Sequence, residues 1–307
     1  MNKLGWRARF FVSQAALILA LGCAGPPGAF ADGFDPPPIN GQSSAEHLPG
    51  KVIWVELVTP DLAAAERFYG GLFGWTFRDL HAGDTRYALA QRDGEAVAGL
   101  VERAVPATEK RQPAWLTFLA VGDVDDASRA VVAKGGKILL QPRTYASRGR
   151  QAVFADPQGA VFAVLASHSG DPPDYLAAPG AWVWSSLFAR DADQDAGFYQ
   201  TVFGYDVFDL DDESGSRHMI LSSGDYARLS VNQLPADAAR RHPHWLNFVR
   251  VVDAADSSAK AVALGGRVLV PARLDRHGGK LAVLADPTGA PFGVMEWTGA
   301  DSNQEPK

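Results

Sequence analysis

Glu56 is the residue of this chain best placed to do chemistry. It lies in an otherwise apolar, strand-like run, Ile53–Val58. A carboxylate in such a run serves as a general base or holds a cationic group. The same position also suits a structural carboxylate paired with an arginine, a common arrangement in folded proteins. His242 and His244 stand two residues apart, the spacing of one strand face and of paired metal ligands. Pro243 between them favours a loop or a strand start over a chelating pair. Trp54 and Trp184 read either as stacking surfaces for an aromatic ligand or as bulky core. His47 and His168 fall in linkers; His81, His218 and His277 fall in loops or at strand edges, where an imidazole is ordinarily solvated. The chain carries no GxSxG, no GxGxxG after a strand and no P-loop, so it lacks the local signatures of those chemistries.

The elements that must position these residues occur twice. Trp54 aligns with Trp184, Asp61 with Asp191, Phe68-Tyr69 with Phe198-Tyr199 and Phe73-Gly74 with Phe203-Gly204, all 130 residues apart. Trp115-Leu116 meets Trp245-Leu246, Asp156-Pro157 meets Asp286-Pro287, and Gly159-Ala160 meets Gly289-Ala290 at the same offset. An offset held over more than a hundred residues is a domain duplication. Within a repeat, Ile53–Val58 reads as a strand. Pro60 suits the first position of a helix, and Leu62, Ala65, Tyr69 and Leu72 give that helix its buried stripe. Gly70, Gly71 and Gly74 close it. Strands follow around Trp75–Phe77, Arg86–Gln91 and Ala96–Glu102, and a second cycle of the same order begins at Trp115. The fold class is therefore α+β: a tandem duplication of paired β-α-β-β-β modules, with domains at 51–168 and 180–298 joined through a Pro/Gly-punctuated linker.

That order, with WVELVTPDLAAAERFYGGLFGW, PAWLTFLAVGDVDDA and the DPxGAxF signature, resembles the vicinal oxygen chelate superfamily of glyoxalases, bleomycin-resistance proteins and extradiol dioxygenases. The likeness covers about residues 51 to 298 and implies two cupped sheets, each surrounding a pocket. It also implies a divalent metal held from the first and last strands of the modules, which polarises vicinal oxygens or stabilises an enediolate. The usual ligand positions, seven residues before the helix-starting Asp or after the Asp of DPxG, hold Trp54, Leu116, Trp184, Leu246, Ala163 and Gly293 here. None of the six can ligate a metal. Strand alternation puts Glu56 on the same face as Trp54, Ser186 on that of Trp184, and His244 on that of Leu246. The counterpart of His244 in the first domain is Ala114. The expected ligand-binding residues are Trp54, Glu56, Leu116 and Phe118 in the first cup and Trp184, Ser186, His244 and Leu246 in the second. Glu56 is the one catalytic candidate.

Charge and address bound the partners. The formal net charge of −6 becomes −9 once the first 22 residues, with Lys3, Arg7 and Arg9, are removed. An acidic body without basic runs argues against nucleic acid. The three cations precede an apolar run, Phe10–Gly22, too short for a ~20-residue membrane span, so residues 1–22 read as an export signal. Leu19-Ala20-Leu21-Gly22-Cys23 resembles a bacterial lipobox, with Cys23 as the lipidated residue; Ala29-Phe30-Ala31 is the competing site of ordinary cleavage. Cys23 is the only cysteine, so no intrachain disulfide forms. Residues 23–50, rich in Pro, Gly and Ser, read as a tether reaching roughly 80 Å at ~3.1 Å per residue, and 299–307 as a flexible tail. Ala24 after Cys23 sends a lipoprotein to the outer membrane, facing the periplasm; cleavage after Ala31 would leave a soluble periplasmic protein.

These readings converge on an exported small-molecule-binding protein of vicinal oxygen chelate type, monomer or dimer, with no cofactor expected and no metal at the usual place. Two alternatives stand beside it: a metal-dependent lyase or dioxygenase with displaced ligands such as Glu56 or His244, and a structural envelope lipoprotein.

Overall fold

The structure, a computed structural model, describes residues 34–103, 113–210, 216–235, 242–275 and 278–297. The export segment, Cys23, Ala31, His277 and the tail 299–307 lie outside the described residues. The first sheet is built from β1 (Val52–Thr59), β2 (Thr76–Ala82), β3 (Thr85–Arg92), β4 (Glu95–Glu102), β5 (Ala114–Ala120), β6 (Lys137–Tyr145), β7 (Gly149–Ala155) and β8 (Val161–Ser167). Helices α1 (Leu62–Phe73) and α2 (Val124–Ala133) follow β1 and β5. The second domain repeats this order with β9 (Trp182–Ala189), α3 (Ala192–Phe203), β10 (Asp206–Asp209), β11 (His218–Ser223), β12 (Tyr226–Gln233), β13 (His244–Val251), α4 (Ala254–Ala263), β14 (Arg267–Leu274), β15 (Lys280–Ala285) and β16 (Pro291–Glu296).

Each sheet has eight strands, ordered β2-β3-β4-β1-β5-β8-β7-β6 and, in parallel, β10-β11-β12-β9-β13-β16-β15-β14. The two modules of a domain join through antiparallel pairing of their first strands. In the first domain this sets Glu56 opposite Leu116 and Trp54 opposite Phe118. Pleat alternation then sends Val55 and Leu57 to one face and Trp54 and Glu56 to the other. The first face carries the helices; the second is the concave face of the cup.

The helical faces of the two domains pack against each other. Leu62, Phe68 and Tyr69 of α1 share one buried cluster with Ala254 and Ala261 of α4 and with Phe292. Val124 and Val131 of α2 share another with Phe198 and Tyr199 of α3. Burying each large side chain contributes roughly 1.5–3 kcal/mol, so the duplicated domains form one body with two cups turned outward. Thr117 and Asn247, equivalent by the repeat, hydrogen bond to each other where the domains meet, Asn247 Nδ2 donating to Thr117 Oγ1 at 3.0 Å.

Local chemistry sets the helix ends, and differs from expectation at two points. Asp61 is the N-cap of α1, its carboxylate accepting from the Ala64 N–H, so Pro60 precedes the cap and is not the first helical residue. Gly70 and Gly71 lie inside α1, and only Gly74, at φ 76°, ends it in the left-handed conformation that lacks a penalty for glycine.

The larger correction concerns residues 34–50. From Phe34 on, the expected tether is seated on the first domain: Phe34 and Ile39 are buried, as are Pro36 and Pro37. Beyond them Asn40 Nδ2 donates to the Ser169 and Gly170 carbonyls, Ser44 Oγ to the Asp171 carbonyl, and the Leu48 N–H to the Asp171 carboxylate. Residues 40–48 are thus bonded along the linker that connects the two domains. Prolines and an absent hydrophobic period mark a segment that makes no regular structure; they do not say whether it is docked.

Candidate functional site: two unequal cups

The first cup brings together Trp54, Glu56, Leu116 and Phe118, with Leu116 at its margin. Glu56 is buried, and its partner is Arg148, which is fully buried. Arg148 Nη1 donates to Glu56 Oε2 at 3.1 Å and Nη2 to the Tyr87 hydroxyl at 2.9 Å; that hydroxyl donates on to Glu56 Oε2 at 3.1 Å. The guanidinium also lies over the Trp54 ring, 5.1 Å from its centroid. Burial pushes the Tyr87 hydroxyl well up, so it stays a neutral donor. Burial alone would lower Arg148, but Tyr87 and Glu56 around it raise it, so the charge persists. Glu56 is therefore in a closed ion pair; the arginine reading of its role is the one this geometry builds. Arg148 escaped sequence reasoning because it sits in the turn before β7, off any strand period. A lone acid in a buried strand was the available signal that a cation must come from elsewhere.

This cup is covered. Phe34 packs its ring 5.3 Å from that of Tyr87, the Pro37 carbonyl accepts from Arg148 Nε at 2.9 Å, and the Asp35 carboxylate accepts from the Ser147 N–H at 2.9 Å.

The second cup brings together Trp184, Ser186, His244 and Leu246, and its lining differs in kind. Where the first has Glu56, Gly99, Val101 and Tyr87, the second has Ser186, Ser230, Asn232 and His218, by strand register. Arg148 is answered by Gly278, so both halves of the ion pair are replaced together. The polar groups form a ladder: His218 Nδ1 lies 2.6 Å from Asn232 Oδ1, Asn232 Nδ2 donates to Ser230 Oγ at 3.1 Å, and Ser230 and Ser186 hydroxyls are 2.8 Å apart. Trp184 Nε1 donates to Ser230 Oγ at 3.1 Å. The His244 ring stacks on Phe188, centroids 5.3 Å apart and planes at 15°. His242 lies ahead of β13 and meets Arg190 instead. Trp184, Phe188, Leu281 and Val283 are only partly buried, so an aromatic and aliphatic wall faces outward beside the hydroxyls. The sequence places His218 in a loop or at a strand edge; the 130-residue offset becomes 131 at this strand, which hides its match to Tyr87.

The positions that hold a divalent metal in this fold do not fit one here. In the second cup a Cβ on Gly293 would overlap the Phe248 ring, so a phenyl fills the space above that position. In the first, Phe118 sits beside Ala163, and the Glu56 carboxylate is engaged by Arg148. Among the described residues no three His, Cys, Asp or Glu side chains converge.

Residues 51–164 match the glyoxalase/bleomycin resistance protein/dioxygenase superfamily, and residues 184–295 match the glyoxalase-like domain. The chain belongs to this superfamily, as two glyoxalase-type domains in tandem. It is 31% identical over 254 residues to the Mycobacterium tuberculosis protein named "Putative glyoxylase CFP32", covering 82% of this chain and 97% of that protein. It is 33% identical over 263 residues to the anthracycline biosynthesis protein DnrV of Streptomyces peucetius, covering 81% and 94%. Among solved structures, the Mn(II)-bound glyoxalase of Novosphingobium aromaticivorans superposes with a TM-score of 0.55 at 17% identity, covering 81% of this chain and 82% of that one. A homoprotocatechuate 2,3-dioxygenase variant from B. fuscum also gives 0.55, at 13% identity over 85% and 76%. At these identities the structural neighbours speak to the fold.

Proposed function

We propose that this is an exported, lipid-anchored small-molecule-binding protein of the glyoxalase superfamily, with the second cup as its open binding site and no metal at the usual place. The observation that carries the reading is the Trp184–Ser230–Ser186 arrangement: a partly exposed indole tied to hydroxyls on the floor of a cup. A pocket of apolar rings with a few convergent polar groups is the ordinary form of a small-molecule site. Its chemistry suits a flat aromatic ligand bearing oxygen substituents, stacked on Trp184 and hydrogen-bonded to Ser186, Asn232 and His218. The anthracycline biosynthesis relatives lean the same way, towards an oxygenated aromatic. Export and anchoring rest on the basic and apolar segment ending at Cys23.

Titration of Trp fluorescence with a panel of hydroxylated polycyclic aromatics tests the site: saturable quenching is expected, and weakened by at least tenfold in Trp184→Ala. Equal binding by that variant moves the site elsewhere. Stoichiometric Fe, Mn, Ni or Zn in protein purified from its host would replace this reading with the metal-dependent lyase or dioxygenase. Blocked maturation in globomycin supports the anchor; unchanged maturation assigns cleavage to Ala31.

A further inference from the structure

The two cups differ in one respect that the repeat itself explains. The positions 130 residues on from Phe34–Ile39 are 164–169, the end of β8 and the start of the linker, so among the described residues the repeat supplies no segment over the second cup to match the one that covers the first. We propose that the first cup is a further ligand site, held shut by residues 34–39, for a compound that carries an aromatic ring beside an oxygen acceptor.

The cover is seated without being built in. Pro36, Pro37 and Pro38 have no N–H to offer, so this stretch cannot join the sheet as a strand. Among the described residues, the hydrogen bonds that hold it are those of Asp35 with the Ser147 N–H and of the Pro37 carbonyl with Arg148 Nε. Burial of apolar side chains adds to these, Phe34 and Ile39 foremost. A stiff proline segment docked in an aromatic-lined groove is a known way to bind reversibly. Residues 40–48 are bonded separately to the interdomain linker. The segment can therefore lift from Asn40 outward while its base stays attached.

The cup beneath sets the ligand chemistry. Glu56, Tyr87 and Arg148 satisfy one another through Nη1, Nη2 and the phenol, none of which involves the cover. Only Arg148 Nε depends on it. Lifting the cover leaves one buried guanidinium N–H without its acceptor, a costly state, and an empty place beside the Tyr87 ring. An occupant that brings both an acceptor oxygen and a ring repairs both losses.

The test uses the full chain and 2-naphthoate, which carries a ring and a carboxylate. By calorimetry, Phe34→Ala/Ile39→Ala should bind 2-naphthoate at least tenfold more tightly than the parent. The peptide Phe-Asp-Pro-Pro-Pro-Ile-Asn, added in trans, should displace it. Both proteins in this comparison carry Trp184→Ala, which removes the second-cup site, so the gain is read from the first cup alone. A cooperatively unfolding variant with no gain, or a gain that the peptide does not compete, overturns the proposal. If the variant fails to fold, hydrogen exchange on the unaltered chain decides: millimolar 2-naphthoate should speed exchange of the Ser147 amide, and unchanged protection overturns the proposal.

Discussion

Tyr69 and Asp286 are 217 residues apart in sequence, and the Tyr69 hydroxyl donates to Asp286 Oδ2 at 3.3 Å across the domain interface. Tyr199 and Asp156 make the reciprocal bond at 3.2 Å. Each aspartate uses its other oxygen to accept three backbone N–H groups of its own DPxG turn, Asp156 from Gln158, Gly159 and Ala160. The FY and DPxG signatures that mark the fold are thus two halves of an interdomain joint, each domain supplying one half to the other. They are family marks of architecture, and they say nothing of reaction.

Tyr69 also accepts from Trp115 Nε1 at 2.9 Å, so Tyr69→Phe strands two buried polar groups, the indole N–H and an Asp286 oxygen. An expected loss of ~1–3 kcal/mol follows from leaving buried groups unpaired. Urea unfolding measures it; a loss within ~0.5 kcal/mol would mean that water or a repacked neighbour replaces the phenol.

Asp195 breaks the symmetry of the interface. Its counterpart by the repeat is Ala65, on the buried stripe of α1, yet Asp195 is fully buried and, among the described residues, neither carboxylate oxygen has a hydrogen-bond partner of good geometry. Burial first, and the nearby Asp156 charge second, push its carboxyl up to about 8. An unfolded aspartate titrates near 4. Between those values the folded chain holds a proton that the unfolded chain has released, so the share of stability that depends on this group is fullest below about pH 4 and is lost as pH rises towards 8. Asp156, pushed up to about 6 chiefly by burial, acts in the same sense over the lower part of that window. Asp195→Ala should stabilise the chain at pH 8 by on the order of 1–3 kcal/mol and flatten the pH dependence between 6 and 8. Denaturant midpoints at pH 5, 6.5 and 8 for both proteins check the sign; a parent that gains stability with rising pH over that range contradicts it.

Much of the fold was legible because a duplicated pattern is self-checking. The 130-residue offset delivers the modules, and strand alternation delivers the cup face, with Trp54 and Glu56 on it. What escaped has local causes. The segment 34–39 forms no period, since a proline-rich segment makes no internal hydrogen bonds; only its partners, dispersed over β1, β3 and the β6–β7 turn, reveal that it is docked. Arg148 precedes a strand and carries no phase. Asp195, by contrast, was open to view: an acid at the place of Ala65 on a buried stripe is a conflict between pattern and residue, and such conflicts mark strained or functional places.

The Glu56–Arg148 pair is a structural feature with a measurable coupling. Arg148→Met alone leaves a buried carboxylate with only the Tyr87 hydroxyl, and should cost ~3–5 kcal/mol, the typical effect of breaking a buried pair. Glu56→Gln added to it removes the stranded charge. The double variant should therefore be more stable than the sum of the single losses by ~2 kcal/mol or more. The second domain already made a coordinated change of this kind, with Ser186 and Gly278 at the two positions. A double-mutant cycle by chemical unfolding gives the coupling; additivity would mean that the pair is not closed in solution.

Gly99 supports that same pair by being small. It faces Glu56 across the β1–β4 register, and a Cβ there would overlap the Tyr87 hydroxyl and lie 2.9 Å from Glu56 Oε2. In the second cup the matching residue is Ser230, whose hydroxyl meets Ser186, Asn232 and Trp184. Gly99→Ala should thus displace Tyr87 from Arg148 and Glu56 together, at a cost of ~1–3 kcal/mol for forced repacking. Tyr87→Phe, which removes the hydroxyl that collides, should tolerate Gly99→Ala better than the parent does. Stability of the four proteins in the cycle decides between crowding at the hydroxyl and general strain of β4, since only crowding is relieved by Tyr87→Phe.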